Sequence, residues 1–202
     1  MVTTTPDVGA AAGDHMHFVI PALGPAPYLT LTGITLLAAA LPLLLVRKKS
    51  RAANLRGAAL IVALLLPVMA VLGSSMTHNS LEVRDGQVVV RAGYFYEYVR
   101  DIREFDLARA RHGSQAAVAP QGLDLRHNGI RLPGYAAGRF SNGDAQGAAE
   151  SLFVTMTDSE RVVYLPATRG QSLLVSVEQG DELLQMLYDA APAAGLQLSR
   201  AH

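Results

Sequence analysis

Two uncharged apolar stretches, residues 28–46 and 57–75, dominate the first part of the chain, and a basic decapeptide separates them. A helix of 19 residues is about 28 Å long, which matches the roughly 30 Å hydrocarbon thickness of a bilayer. Neither stretch has the polar face that a helix on a soluble core usually carries. The pattern therefore predicts a two-helix transmembrane hairpin over residues 28–75, with the lipid bilayer as its first partner.

Basic residues predict the orientation of this hairpin. Residues 1–27 contain no lysine or arginine, whereas the connecting loop, residues 47–56, contains five. Because lysine and arginine beside a span stay on the cytoplasmic side, we expect a cytosolic loop and an outward-facing N-terminal segment. That segment lacks the basic start of a secretory signal, so we expect no cleavage. The prediction is a multi-pass protein of the cytoplasmic (inner) membrane with both termini on the outer, periplasmic side.

The rest of the chain has the composition of one globular domain. Residues 79–202 contain twelve arginines and fifteen carboxylates and no basic stripe. Such a mildly acidic domain is a poor nucleic-acid binder, so no nucleic acid is expected as a partner. The chain contains no cysteine, which excludes disulfides, thiolate catalysis and cysteine-ligated metal sites.

Short alternating segments predict an antiparallel β meander followed by one helix. Leu81 and Val83 alternate with charged residues, and Asp85-Gly86 has the residue types of a tight hairpin turn. Apolar residues spaced by three and four predict an amphipathic helix over residues 179–190 that ends before Pro192, with a flexible tail over residues 191–202. Further strands are predicted at residues 87–91, 94–99, 152–156, 162–165 and 173–177.

Two motifs in this region resemble a known family. Leu132–Tyr135 followed by Gly138–Phe140 is similar to the LPGY-x-x-G-x-F segment of the small, membrane-attached bacterial pleckstrin-homology-like proteins. The resemblance covers about residues 80–190. It implies a mainly-β, PH-like barrel over residues 79–190, with about seven antiparallel strands and one C-terminal capping helix. It implies no catalytic or ligand-binding residues.

The LPGY segment also has an interpretation from its chemistry. The Pro133-Gly134 pair predicts a sharp change of direction, and Gly138 allows a close backbone approach. Two interpretations of the neighbouring side chains stay open. Tyr135, Arg139 and Phe140 could form a partner-binding rim, because aromatic and guanidinium groups dominate interface energies. Alternatively, the aromatic residues return to the core of a strand connection.

The residues that could take part in catalysis or ligand binding do not predict an enzyme. The first hairpin turn places only Arg84 beside Asp85, so phosphoinositide binding, which requires clustered cations, is not expected. Asp106, His112 and Ser114 lie in one stretch, but three common residue types within a loop are not evidence of a catalytic triad.

One N-terminal cluster has metal-ligating residue types. His15, Met16 and His17 follow Asp14 directly, and a His-x-His pair with a methionine can ligate copper or another late transition metal. The segment is rich in glycine and alanine, and a random polar cluster is the favoured explanation there. We retain the cluster as a metal-site hypothesis and expect no cofactor.

Taken together, these patterns favour a membrane-anchored, non-enzymatic binding or scaffolding module. Its PH-like domain would hold a membrane or envelope protein through a loop rim or an exposed strand edge. Two alternatives stay open, namely an accessory subunit of a membrane transporter or envelope-enzyme complex, and a metal-handling or hydrolytic envelope protein. Small residues in both apolar stretches also permit close helix packing, including that of a homo-oligomer.

Overall fold

The computed structural model describes residues 15–45, 51–120, 122–123, 126–142 and 150–198. The helices are α1 (Ala26–Leu45), α2 (Arg51–Ser75), α3 (Gln115–Val118) and α4 (Gly180–Leu198). The strands are β1 (Met16–Phe18), β2 (Asn79–Arg84), β3 (Gln87–Ala92), β4 (Tyr96–Asp101), β5 (Arg111–Gly113), β6 (Arg126–Leu132), β7 (Tyr135–Asn142), β8 (Glu150–Met156), β9 (Val162–Leu165) and β10 (Ser172–Ser176). Short 3-10 turns, Ile102–Glu104 and Leu107–Arg109, follow β4.

The two expected apolar segments are both helical, and α1 packs against α2. Tyr28 in the first turn of α1 lies beside Gly73 in the last turn of α2, so the two helices run in opposite directions. Among the described helices, only α2 is long and apolar enough to cross a membrane, over Ala52–Ser75. The described apolar part of α1, Ala26–Leu41, is shorter. Residues 46–50 of the expected cytosolic loop lie outside the described residues.

The strands form two sheets. The first has the order β1-β2-β3-β4 with all neighbours antiparallel, and the second has the order β5-β9-β10-β8-β7-β6. The predicted tight turn between β2 and β3 is confirmed, since Asp85 and Gly86 have φ values of 50° and 73°. In the described part of the chain neither sheet closes into a barrel.

The predicted mainly-β region is confirmed and most neighbouring strands are antiparallel, but the expectation of an entirely antiparallel meander of about seven strands is wrong. The described chain has ten strands, and β10 lies between β8 and β9 and runs parallel to β8. The hydroxyl of Ser176, at the end of β10, accepts hydrogen bonds from the backbone N–H groups of Thr157 and Asp158, each at 3.1 Å. These bonds fix the β8–β9 connection where it passes the end of β10. In the sheet, β10 lies between β8 and β9.

The two sheets face each other across the main core. Tyr98 of β4 stacks on Phe153 of β8, with ring centroids 5.1 Å apart. The helix α4 covers one end of this core, where Leu183 and Leu187 are fully buried. Leu31 of α1 belongs to the same core, so the helix pair and the sheets form one continuous packing unit.

The amphipathic C-terminal helix is confirmed, but it continues past its predicted end. It runs from Gly180 through Pro192 to Leu198, so residues 191–198 are helical and do not form a tail. Alanines flank the proline on both sides, and alanine has the highest helix propensity, which favours continuation of the helix. Residues 199–202 lie outside the described residues.

A strand that the sequence did not predict precedes α1. β1 pairs antiparallel with β2, and Phe18 is buried in the main core. The hydroxyl of Thr157 donates a hydrogen bond to the carbonyl of Pro21 over 2.8 Å and is buried. The chain just before α1 is therefore part of the folded domain, which the sequence did not predict, while the outward-facing side expected for residues 1–27 stays a prediction. Residues 1–14 lie outside the described residues.

Candidate functional site

The LPGY segment forms the hairpin turn between β6 and β7. Gly134 has a φ of 75°, which confirms the predicted sharp change of direction. A Cβ at this position would lie 3.8 Å from Ala26 and 3.8 Å from Pro27. The turn therefore lies directly against the first residues of α1 and joins the six-stranded sheet to the helix pair.

Gly138 brings β6 and β7 unusually close together. It pairs with Gly129 across the two strands and has a φ of 114°. A Cβ at Gly138 would lie 2.4 Å from the carbonyl oxygen of Asn128, a distance that no real Cβ tolerates. The predicted close backbone approach is confirmed.

The expected rim of Tyr135, Arg139 and Phe140 is not assembled on a surface. Tyr135 and Phe140 are 2% and 0% exposed, and they lie on opposite faces of β7. The reason is that β7 is an internal strand of the six-stranded sheet, with both faces covered: the main core lies on one side, and Val118 with its neighbours lies on the other. Burial raises the pKa of Tyr135, and Arg139 alone is exposed. The aromatic residues therefore return to the core, which was the second of the two interpretations.

An open cleft of about 530 Å³ lies beside the LPGY turn. Two of its polar lining groups already have structural partners. The guanidinium of Arg131 donates to the carbonyl of Leu123, and the N–H of Gln115 donates to the carbonyl of Ser159 over 2.7 Å. Arg131 is the single cation among the described lining residues, which are Gln115, Arg131–Ala136, Met156 and Ser159. The cleft could hold a small apolar group, and its described lining supplies no nucleophile paired with a base.

Two of the three candidate triad residues have other structural partners. His112 Nδ1 lies 3.0 Å from a carboxylate oxygen of Asp181 in the first turn of α4, and its ring packs against Gly180. Asp106 lies 3.9 Å from Arg109. His112 therefore helps to fix the start of α4, and its buried Nε2 bonds to no described group, so His112 does not link Asp106 to Ser114 by hydrogen bonds as a catalytic base would.

A polar network ties β8, β9 and β10 together. The Tyr164 hydroxyl donates to the carboxylate of Glu150 at 2.6 and 2.7 Å, and the Ser172 hydroxyl donates to the same carboxylate. Burial, together with the adjacent carboxylate, raises the pKa of Tyr164 to about 12. The three groups satisfy one another, so this network is a structural connection between strands.

The N-terminal histidines do not converge with a third ligand in the described residues. His15 is exposed before β1, and His17 lies on β1 opposite Glu82. Successive strand residues point to opposite faces, so Met16 is directed away from both histidines. No group of three histidine, aspartate or glutamate side chains lies together in the described part of the chain, and Asp14 lies outside it. The metal-site hypothesis receives no geometric support from these residues.

β4 forms one edge of the four-stranded sheet and is the longer of its two edge strands. The two-residue turn after Arg84 makes Arg84 and Gln87 a hydrogen-bonded pair, and pairs alternate along an antiparallel ladder. The β3 residues that do not bond to β2 bond to β4 instead. In the β3–β4 register, their partners are alternate β4 residues, including Tyr98. The backbone groups of Glu97 and Val99 therefore face the free edge, where the described residues supply no strand partner.

Two side chains of β4 bond to the backbone of the segment just before β10. The Tyr98 hydroxyl donates to the carbonyl of Gln171 over 2.7 Å, and the Arg100 guanidinium donates to the carbonyl of Arg169. Val99 is 50% exposed beside the free backbone groups. The sequence predicted a strand edge as a kind of site but not which strand supplies it, because edges depend on the order of strands in the sheet.

Comparison of the chain with protein-family models, curated proteins and solved structures returned no match. The resemblance to the bacterial PH-like family therefore stays a prediction that depends on the LPGY segment and the order of elements.

Proposed function

We propose that this chain is a membrane-anchored, non-enzymatic binding module. A two-helix transmembrane hairpin carries a PH-like domain, and the free edge of β4 pairs with an extended segment of an envelope protein. The observation that carries the proposal is the hydrogen-bonded pairing of β1, which precedes α1, with β2, which follows α2.

This pairing supports a hairpin because it places the start of α1 and the end of α2 on the same side of any membrane. α2 has the length and hydropathy of a span. If α2 crosses the bilayer, α1 must also cross it, since the chain has to return to the side from which it started. The antiparallel packing of α1 and α2 is compatible with this path.

The basic loop supports the orientation. Five lysines and arginines lie between residues 47 and 56 of the sequence, where the chain connects α1 to α2. The tendency of such residues to stay in the cytosol would place the domain outside the inner membrane. The partner is then an envelope protein.

The architecture of the domain supports a PH-like fold. Two sheets face each other across one core, and a C-terminal helix buries Leu183 and Leu187 at one end of it. The parallel β8–β10 pair and the additional strand β1 would be this chain's own departures from a seven-stranded antiparallel barrel.

The β4 edge supports binding by strand addition. In this mode, backbone hydrogen bonds to an exposed edge supply affinity, and alternate side chains supply specificity. β4 has six residues and contains no proline, and no register shift interrupts its pairing with β3. β6, at the edge of the other sheet, has a register shift between Arg126 and Asn128. β4 is therefore the better template for an added strand.

The test uses a photo-crosslinking amino acid at Glu97 in the full chain, expressed in cells, combined with Val99→Pro. The proline removes one outward N–H group but no bond to β3. We expect a crosslinked envelope protein from the parent chain and at least a roughly tenfold loss of that product with Val99→Pro, because the added strand loses a backbone bond and meets the proline ring.

The matched control is Val99→Thr, which keeps both the N–H group and a branched side chain, and it should retain the crosslinked product. Thermal unfolding of each variant checks that the domain is intact. An equal yield of product from Val99→Pro and Val99→Thr would refute strand addition at β4. The absence of any crosslinked protein from well-expressed chain would count against a binding module.

A further inference from the structure

The turn between β3 and β4 exposes two aromatic side chains at the end of α2. Tyr94 is 53% exposed and Phe95 is 59% exposed. Their rings meet edge to face, with centroids 6.3 Å apart. The Tyr94 ring also packs against His78, with ring centroids 4.6 Å apart, but neither aromatic ring belongs to the hydrophobic core, so the exposure of both requires another explanation.

This turn is fixed to the last residues of α2. The hydroxyl of Ser75 accepts a hydrogen bond from the Tyr94 N–H over 3.0 Å, and the Tyr94 hydroxyl lies 2.9 Å from the hydroxyl of Ser74. Gly93 has a φ of 63°, and a Cβ at that position would lie 2.3 Å from the Ser75 hydroxyl oxygen. These contacts fix the position of the aromatic pair relative to the end of α2.

The apolar surface continues from the helices onto this turn. Val71, in the last turns of α2, is 51% exposed, and Tyr28, at the start of α1, is 36% exposed. On the side of the turn away from the helices, the surface becomes charged, where Arg91 and Glu97 form an ion pair at 3.0 Å. The molecular surface therefore changes from an apolar helix to an aromatic turn and then to a charged sheet. Residue types follow the same order across a membrane–water interface.

We propose that the Tyr94-Phe95 turn is a membrane-interface anchor that inserts into the headgroup region of the bilayer crossed by α2. This inference rests on the proposed membrane insertion of α2. Phe95 supplies apolar area, while Tyr94 keeps its hydroxyl bonded to Ser74 and its ring among the headgroups. The anchor fixes the orientation of the four-stranded sheet relative to the membrane. The first residues of the β4 edge then lie at the bilayer surface.

The test exploits the absence of tryptophan from the chain, so that each substitution creates a single tryptophan whose emission can be excited selectively. Phe95→Trp, Leu64→Trp and Gln87→Trp are each reconstituted as full chains in phosphatidylcholine vesicles. Leu64 is 73% exposed in the middle of α2, and Gln87 is exposed at the opposite end of β3. Emission is compared among lipids brominated close to the headgroups, lipids brominated deep in the acyl chains, and lipids without bromine.

We expect Phe95→Trp to show blue-shifted emission and to lose most of it in lipids brominated close to the headgroups. Leu64→Trp should lose its emission mainly in deeply brominated lipids, and Gln87→Trp should keep its emission in both. Quenching of Leu64→Trp without quenching of Phe95→Trp would overturn the anchor and leave the membrane hairpin in place. Absence of quenching in Leu64→Trp would overturn the proposed membrane insertion itself. Quenching of Gln87→Trp equal to that of Phe95→Trp would also overturn the anchor, since it would show that tryptophan alone draws the sheet to the lipid.

Discussion

At the scale of single residues, Gly138 has the most constrained backbone in the β6–β7 hairpin. Its φ of 114° is strained for any residue with a side chain, and a Cβ would lie 2.4 Å from the Asn128 carbonyl oxygen. We expect Gly138→Ala to lower the free energy of unfolding by about 3 kcal/mol, because the strands must separate as well as accept the strained backbone. Chemical denaturation of the detergent-solubilised protein, followed by tyrosine fluorescence, measures this loss.

Gly86 provides the control for that substitution. It also has a positive φ, 73°, but no atom lies within 4 Å of a Cβ built there. Gly86→Ala should cost about 1 kcal/mol, the conformational penalty alone. Equal losses for the two variants would mean that close strand contact does not explain why residue 138 is glycine.

At the scale of elements, β1 makes the chain before α1 part of the domain. Phe18 of β1 is 8% exposed in the main core, whereas Met16 of the same strand is 46% exposed. We expect Phe18→Ala to lower the free energy of unfolding of the domain by about 3 kcal/mol, because it leaves a cavity in the shared core. Met16→Ala should change it by less than about 0.5 kcal/mol. The same denaturation assay compares the two, and a Phe18→Ala domain as stable as the parent would show that β1 is not part of the core.

Elements with a strong local pattern were predictable from the sequence. The Asp85-Gly86 turn, the strands on either side of it and the amphipathic helix each follow from residue type and spacing within a short window. β1 was not predictable in this way, since its three residues become a strand only by pairing with β2, across more than sixty residues that include both helices. A strand stabilised by a distant partner leaves no periodicity of its own.

The position of β10 between β8 and β9 also could not be predicted from a local sequence pattern. Thr157 and Asp158 have residue types typical of turns, but their backbone donors bond to Ser176 and do not close a hairpin. The site was predictable to a similar extent. The glycines of the LPGY segment predicted its backbone, while the burial of Tyr135 and Phe140 depends on β7 being an internal strand, which is a property of the whole sheet.

At the scale of the whole molecule, the β1–β2 pairing makes a prediction about topology that does not depend on any charge rule. If α2 spans a membrane, as proposed, residues before α1 and residues after α2 must be accessible from the same side of it, because they are hydrogen-bonded to each other. The chain contains no cysteine, so single cysteines can report this directly. His15 and Gln87 are both exposed, and they flank the helix pair in sequence.

We therefore expect His15→Cys and Gln87→Cys to be labelled together by a membrane-impermeant maleimide in cells with a permeabilised outer layer. Ser50→Cys, in the basic loop, should be labelled only after the inner membrane is opened, since the loop is expected to be cytosolic. Labelling of His15→Cys and Gln87→Cys from opposite sides is incompatible with the β1–β2 pairing, whatever the orientation of the loop. Labelling of both only after the inner membrane is opened would keep the pairing but invert the hairpin, and the strand partner of β4 would then be a cytosolic protein.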